Sequence, residues 1–172
     1  QRRYDIGERL ARIGDYRPHL GVKDGVPDIA WLPVQTLTDS VTIKTNENEI
    51  GPIVIRPFYI AKYLTTYTQF RAFIKGGEYE DSRWWDGFPS GYQPQKPDNV
   101  TNGNANAPRD TVSLYQSVAF GRWMSHKLRG LRMPNPFVEM TPALSTDNLG
   151  IISREFVVGD NAEIRLPTEW EW

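Results

Sequence analysis

The sequence predicts a domain of short strands and helices joined by long ordered loops. Two runs rich in β-branched and aromatic residues lie in the first half of the chain, a composition that favours strands. Two helix-opening motifs follow them, at Thr66 and at Ser113. The 172 residues include 12% aromatic residues, 13 Pro and 14 Gly. Because aromatic side chains pack irregular segments together and Pro and Gly set turns, we expect much irregular structure.

The N-terminal segment is predicted to be a helix followed by a connection. Three apolar residues recur with the spacing of one helical face, namely Ile6, Leu10 and Ile13. Residues 3–13 should therefore form an amphipathic helix that ends at Gly14. Residues 15–28 contain two Pro and two Gly, which is typical of a lead-in loop or linker. We expect residues 1–28 to come from an upstream region and the domain to start near Ile29.

A strand pair is predicted next. Residues 34–44 and 50–63 form the two β-prone runs, and residues 45–49 form a polar turn between them. Pro52 and Pro57 fall inside the second run. Since Pro lacks the N–H that a strand ladder needs, this strand should be short or interrupted.

Two helices are predicted from capping boxes. In the segments Thr66 to Gln69 and Ser113 to Gln116, a hydroxyl residue is followed three positions later by Gln. Such a pair satisfies two main-chain N–H groups at the start of a helix. The first helix should stop at Gly76 and the second at Gly130.

Residues 78–110 are predicted to form a long loop, and loops of this length are usually functional or disordered. The loop holds the pair Trp84-Trp85 and an Asn-rich run made of Asn99, Asn102, Asn104 and Asn106. A second irregular segment is expected over residues 133–148.

The last part of the chain predicts a hairpin and the start of a third helix. Residues Gly150–Val158 and Ala162–Leu166 are separated by a turn at residues 159–161. Thr168 and Glu171 are spaced as another capping box. Isolated helices shorter than roughly 12 residues are marginal in water, so we expect the domain to continue beyond residue 172.

Five motifs follow one another between Pro57 and the end of the chain. They are Pro57-Phe58-Tyr59-Ile60, the helix with Gln69-Phe70-Arg71-Ala72-Phe73, Gly76-Gly77 with Tyr79 and Trp84-Trp85, the helix with Ala119-Phe120 and Trp123, and Arg165-Leu166-Pro167-Thr168-Glu169-Trp170-Glu171-Trp172. In this order they resemble the formylglycine-generating enzyme, or sulfatase-modifying factor, domain family. The similar stretch runs from about Ile29 to Trp172. The lead-in before it resembles the segment that precedes such domains in larger bacterial proteins.

The resemblance implies an α+β fold of the C-type lectin-like kind, rich in loops, of which this chain holds the front portion. Family members that oxidise a substrate cysteine use a cysteine pair and copper, placed after the Arg165–Glu169 motif. Sulfoxide-forming relatives use iron bound by a His-rich motif. Other relatives are not catalytic and bind ligands, including variable proteins diversified by retroelements. Residues 32–48 depart from the family, because they lack the Gly-rich turn and Met-Gly pair usual in its opening strand.

Composition argues against several classes of partner. The chain has 20 basic and 21 acidic residues, so it shows no electrostatic footprint for nucleic acid or for an anionic membrane. With 0 Cys it has no disulfide framework, thiolate metal site or nucleophilic thiol. A reducing, cytoplasmic location fits this composition. No stretch reaches the roughly 18 apolar residues of a membrane-spanning helix.

Three features of the long loop invite a functional interpretation. Trp84-Trp85 could form a binding platform, but such residues more often fix a loop to the core, and we favour the second role. The stretch Asp98–Gly103 is similar to a calcium loop, yet Val100 stands where an oxygen ligand is required. Asn99–Thr101 matches a glycosylation sequon by pattern alone.

The histidines and acids do not form a catalytic or metal-binding pattern. His126 lies near the end of a predicted helix, where a cation complements the helix dipole. His19 has no His, Cys or carboxylate at metal-binding spacing in the sequence. Glu169 and Glu171 belong to the last capping motif. We therefore assign no catalytic and no metal-binding residues, and no ligand-binding residue can be named.

These observations favour a non-catalytic ligand-binding or display domain, with a binding face built largely from residues after 172. A retroelement-diversified variable protein and a sensor domain are two forms of this hypothesis. Its partner would be a protein or a small molecule, with no nucleic acid and no membrane involved. The alternative is a metal-dependent oxidase of the formylglycine-generating or sulfoxide-synthase type with its catalytic residues downstream. These 172 residues imply no cofactor, and copper or calcium would require ligands from the downstream half.

Overall fold

The computed structural model describes residues 2–15, 17–34, 41–44, 49–53, 55–94, 104–135 and 155–171. Within these ranges the fold is α+β, as the sequence predicts. The helices are α1 (Arg2–Ile13), α2 (Tyr67–Lys75), α3 (Ser82–Trp85) and α4 (Leu114–Lys127), with a 3₁₀ turn at Ser90–Tyr92. The strands are β1 (Val22–Lys23), β2 (Val26–Pro27), β3 (Trp31–Val34), β4 (Val41–Lys44), β5 (Glu49–Ile53), β6 (Phe58–Ala61), β7 (Arg132–Pro134) and β8 (Glu155–Val157). They form antiparallel pairs β1–β2, β3–β6, β4–β5 and β7–β8.

Helix α1 confirms the helix predicted over residues 3–13. It ends before Gly14, whose φ of 93° lies in the left-handed region that favours glycine. Much of its apolar face is open to solvent, since Ile6 is 49% and Ile13 is 80% exposed. The helix is thus amphipathic without its apolar side being buried.

The segment predicted as a lead-in loop or linker is packed against the start of α2. It forms the β1–β2 hairpin, and Leu20 before it is buried. The Thr66 hydroxyl donates to the Leu20 carbonyl at 2.9 Å, and Gln69 Nε2 donates to the Asp28 carbonyl at 2.8 Å. Hydrogen bonds and a buried leucine therefore hold this hairpin against α2. The domain boundary near Ile29 stays a prediction.

The predicted strand pair is present and is extended by a second pair. Strands β4 and β5 pair as expected. Strands β3 and β6, which precede and follow them in the chain, form a second antiparallel pair with Trp31 opposite Ala61. Pro52 lies in β5, and Pro57 lies between β5 and β6. The interruption predicted from these prolines is confirmed. Most of the predicted turn, residues 45–48, lies outside the described residues.

Both predicted helices begin at their capping boxes. In α2 the N–H of Gln69 donates to Thr66 Oγ1 at 3.2 Å, and the N–H of Thr66 donates to Gln69 Oε1 at 2.9 Å. The corresponding distances at Ser113 and Gln116 are 3.2 and 3.0 Å. Helix α4 ends at Lys127, just before the left-handed residue Gly130.

An aromatic core joins α2, α3 and α4. Its buried members are Phe70, Phe73, Tyr79, Trp84, Trp85, Ala119, Trp123 and Met124. The rings of Phe73 and Trp123 lie 5.3 Å apart, a spacing at which aromatic pairs attract beyond simple area burial. The Nε1 atoms of Trp84 and Trp85 donate to the carbonyls of Glu78 and Tyr79 at 2.8 and 2.7 Å. The tryptophan pair thus fixes the loop to the core, which confirms the favoured role.

The hairpin predicted over residues 150–166 is wrong in its second strand. The turn forms, with Gly159 at a φ of 82°, but β8 pairs with β7 instead of with residues 162–166. The Asn161 side chain accepts from the N–H of Val157 at 2.7 Å and donates to the Glu155 carbonyl at 2.9 Å. It therefore occupies main-chain groups of β8 that a returning strand would need.

Strand β7 also corrects part of the predicted irregular segment 133–148. Met133 pairs with Phe156 of β8. Residues 136–148 of that segment, and residues 150–154 of the predicted hairpin, lie outside the described residues.

Candidate functional site: a groove along helix α4

A groove of about 340 Å³ lies between helix α4 and the segment of residues 163–166. Val118, Arg122 and Ser125 line the helical wall. Their i, i+4, i+7 spacing places them on one face of α4. The opposite wall consists of Glu163, Ile164, Arg165 and Leu166. We call this feature the α4 groove.

The distance between the two walls is fixed by Ser125. The N–H of Ile164 donates to Ser125 Oγ at 2.7 Å, and the same hydroxyl donates to the Ile164 carbonyl at 3.1 Å. Gly121, one turn earlier, allows the close approach. A Cβ at that position would lie 3.0 Å from the Ile164 carbonyl oxygen. A larger residue would therefore push the segment away from α4 or force it to shift.

The half-buried Arg122 guanidinium is held in place from one side. Its Nη1 donates to the carbonyls of Trp84 and Asp86 at 2.9 and 2.8 Å. The guanidinium carbon lies 4.8 Å from the centroid of the Phe88 ring, a cation–π geometry. Across the part of the chain that the structure describes, no carboxylate lies within 4.0 Å of Arg122. Its positive charge is therefore balanced by dipoles and not by an acid.

Arg165, by contrast, is paired. Its Nη1 and Nη2 donate to the two oxygens of Glu171, each at 2.8 Å, which is the bidentate geometry of strong Arg–carboxylate pairs. This pairing lowers the pKa of Glu171 to about 2 and raises the pKa of Arg165. Glu171 also accepts from the N–H of Thr168 at 2.7 Å, so the geometry of the last predicted capping box is present.

A partly exposed aromatic surface continues from the groove past Arg122, with one exposed ring and two rings that pack partly against the core. Phe88, Tyr92 and Tyr115 form it, and we call it the aromatic shelf. The Tyr115 ring lies 4.9 Å from Phe88 and 4.3 Å from Tyr92, with which it stacks at 28°. Tyr92 is 41% exposed, and the neighbouring Leu114 is 66% exposed. An apolar surface of this kind beside a fixed cation can contact a ligand longer than the groove itself.

Other carboxylates hold loops together. Glu78 accepts from Lys127 Nζ at 2.7 Å and from Trp123 Nε1 at 2.8 Å, and these bonds lower its pKa. The Arg83 guanidinium, bonded to Asp81 at 2.6 Å, lowers the pKa of that carboxyl. A general acid or base works best with a pKa near the operating pH. These groups are therefore structural anions at neutral pH.

Asp15 has the same character. Arg17 bonds to it at 2.6 Å and holds the pKa of the Asp15 carboxyl well below its usual range. Asn106, one of the Asn-rich run, also donates to Asp15, at 2.7 Å. This bond ties the long loop to the N-terminal segment.

The two histidines lie apart in the fold. His126 is in the last turn of α4, as expected, and its ring lies 5.4 Å from that of Trp84. His19 Nδ1 lies 2.9 Å from the Asp28 carboxylate, a partner that the sequence spacing did not predict. The β1–β2 hairpin brings these two residues together. The calcium-like stretch 98–103 and the sequon 99–101 lie outside the described residues.

Over the described ranges, no group of three or more His, Cys, Asp or Glu is arranged to hold a metal ion. The chain has 0 Cys, so the cysteine pair that the family resemblance implies for copper is not among these residues. In the same ranges, no helix has both the length and the apolar character needed to span a bilayer.

Residues 33–172 match the family described as the sulfatase-modifying factor enzyme 1-like domain. The chain belongs to this family. Neither the curated proteins nor the solved structures gave a match. The matched range of this sulfatase-modifying factor domain includes both walls of the α4 groove. The C-type lectin-like arrangement that the resemblance implies stays a prediction.

Sequence reasoning missed the α4 groove in this sulfatase-modifying factor domain. The spacing of Val118, Arg122 and Ser125 could have shown that they share a helical face. The opposite wall forms only because residues 163–166 pass beside that face of α4. No local sequence motif encodes the path of these residues. The family motif that begins at Arg165 marked this segment without indicating which helix it contacts.

Proposed function

We propose that this sulfatase-modifying factor domain is a non-catalytic ligand-binding or display domain. The α4 groove is the observation that carries the proposal. It combines apolar side chains with a few fixed polar groups, which is the usual character of a ligand site. Its walls are joined at Ser125, and Arg122 is positioned before any ligand arrives.

The state of the carboxylates supports this proposal. Glu78, Asp81 and Glu171 all have lowered pKa values because they accept charged hydrogen bonds. Preformed loops and low conformational freedom reduce the entropy lost on binding. We infer that the charge networks serve to hold a binding surface in shape. The ligand would be a protein or a small molecule, and the cysteine-free composition is compatible with a cytoplasmic location.

The family itself supports a second candidate function. Its description names an enzyme, and the alternative is a metal-dependent oxidase of the formylglycine-generating or sulfoxide-synthase type. Its catalytic residues would be supplied by residues outside these 172. In that case the α4 groove would support a neighbouring active site.

Two assays on the purified protein, expressed with any residues that its gene encodes outside these 172, separate the candidates. Selection from a random peptide display library should enrich peptides whose affinity is unchanged by a metal chelator. Aerobic incubation of a cysteine-containing peptide with the protein and copper or iron should leave the peptide mass unchanged. A metal-dependent and oxygen-dependent mass change, absent without protein, would overturn the binding proposal in favour of the oxidase.

A further inference from the structure

We propose that Arg122 binds an acidic side chain of a polypeptide segment that lies along α4, with its apolar residues on the α4 groove and the aromatic shelf. This inference rests on the proposed binding function and gives it a site and a ligand class. Nothing in the family match assigns a role to Arg122.

The charge of Arg122 is the first argument. Four other arginines of the described ranges, Arg17, Arg83, Arg132 and Arg165, each contact a carboxylate within 2.6–2.8 Å. Arg122 instead contacts two main-chain carbonyls and the Phe88 ring. Both hydrogen bonds use Nη1, and Nη2 and Nε have no hydrogen-bond partner among the residues that the structure describes. A planar guanidinium held in this way matches a carboxylate, which can accept two parallel hydrogen bonds.

The apolar surroundings are the second argument. Val118, Ile164 and Leu166 line the groove beside Arg122, and Leu166 is 40% exposed. A ligand with apolar groups next to its acid would cover these side chains. A half-buried arginine next to apolar contacts also has less water to displace than an exposed one, which strengthens a charged hydrogen bond.

The extent of the exposed surface favours a polypeptide over a small acid. A small acid could fill the groove, but it would leave Leu114 and Tyr92 open to water. A chain running along α4 would cover Leu166, the aromatic shelf and Leu114 while placing one acidic residue at Arg122. Tyr and Arg are also the residue types enriched among interface hot spots.

The experiment uses the peptides enriched by the display selection and measures their affinity by titration. We expect enriched sequences to share an Asp or Glu flanked by apolar residues. Replacing that acid by its amide should weaken binding roughly tenfold or more, as expected for losing a charged hydrogen bond. Arg122→Gln should give a similar loss, and Arg122→Lys an intermediate one because lysine lacks the planar fork.

Arg132→Gln is the matched control, because this arginine is 68% exposed and pairs with Glu155 on the β7–β8 pair. It should leave affinity unchanged. Leu114→Lys should weaken binding without lowering the melting temperature, since Leu114 is exposed. If Arg122→Gln fails to fold, the acid-to-amide change in the peptide and Leu114→Lys still test the site.

Four outcomes would overturn this inference. Enriched peptides without an acid, or peptides that bind Arg122→Gln unchanged, would place binding elsewhere while the proposed function stands. Equal affinity for acetyl-glutamate alone would show that a small acid is the ligand. Failure to enrich any peptide would reject a polypeptide partner, and the oxidation assay would then decide on the proposed function separately.

Discussion

Glu171 connects two neighbours at the scale of a single residue. It pairs with Arg165 and accepts from the N–H of Thr168, so one carboxylate fixes both the groove wall and the turn after it. Its side chain is 10% exposed, whereas that of Arg165 is 45% exposed. Solvent screening at the arginine keeps the energy of this pair modest.

We expect Glu171→Gln to lower the free energy of unfolding by about 1 kcal/mol at neutral pH. The folded pKa is about 2, below the ordinary value of 4.5. A depressed acidic pKa stabilises the folded state above the unfolded pKa, and this contribution is lost as pH falls from 4.5 towards 2. Urea unfolding of both proteins across this range should show the two stabilities converging. A constant difference would contradict the charge argument.

Thr168→Ala is the control for the cap itself. It removes the hydroxyl that accepts from the N–H of Glu171 at 3.3 Å. The loss should be about 1 kcal/mol at most. Because a hydroxyl does not titrate in this range, the loss should vary much less with pH than that of Glu171→Gln.

The buried tryptophans make a second prediction at this scale. Trp85 is 1% exposed and donates to the Tyr79 carbonyl. Trp85→Ala should lower the free energy of unfolding by about 3–5 kcal/mol, since it empties a core position. Trp85→Phe should cost less, about 1–3 kcal/mol, by leaving that carbonyl without its donor. Tyr92→Ala, at an exposed ring, should cost much less than Trp85→Ala, and an equal loss would contradict the assignment of the core.

Helices and strands could be predicted where the sequence motif that specifies them lies within a few residues. The capping boxes at Thr66 and Ser113 gave both helix starts, because each box needs only residues three positions apart. Strand pairing failed where a distant segment decided it. The partner of β8 is β7, more than twenty residues away, and the Asn161 side chain blocks the nearby alternative.

Gln69 shows how a local motif can also hold a distant element. It completes the capping box of α2, and its Nε2 donates to the carbonyls of His19 and Asp28. Gln69→Met should keep the apolar bulk and lose these bonds, which releases the β1–β2 hairpin. Hydrogen exchange should rise over residues 17–28, and trypsin should cleave faster at Lys23.

Gln116→Met is the matched control for this prediction. Gln116 completes the capping box of α4 and is also buried, and its Nε2 donates to the Tyr79 hydroxyl at 3.3 Å. It should lower stability without selectively exposing residues 17–28. Equal exposure of the hairpin in both variants would mean that Gln69 does not hold it.

For the whole molecule, the α+β class and the family followed from the order of motifs, whereas the α4 groove did not. The groove arises because Gly121 and Ser125 let residues 163–166 approach a helix about forty residues earlier. Such an approach depends on two surfaces fitting each other, and neither sequence segment carries that information alone. The packing of the β1–β2 hairpin against α2 was similarly hidden, since Pro and Gly in residues 15–28 indicated a lead-in loop or linker.

Two truncations test that extent. Removing residues 1–14 takes away a helix whose residues Ile6 and Ile13 are exposed, so the melting temperature should change little. Removing residues 1–28 also takes away buried Leu20 and the partners of Thr66 and Gln69. Leu20 loses the roughly 1.5–3 kcal/mol of its burial, and each lost hydrogen bond of Thr66 and Gln69 costs about 0.5–1.5 kcal/mol. We therefore expect the longer truncation to lose several kcal/mol in urea unfolding. Equal stability of the two truncations would mean that the hairpin is a linker after all.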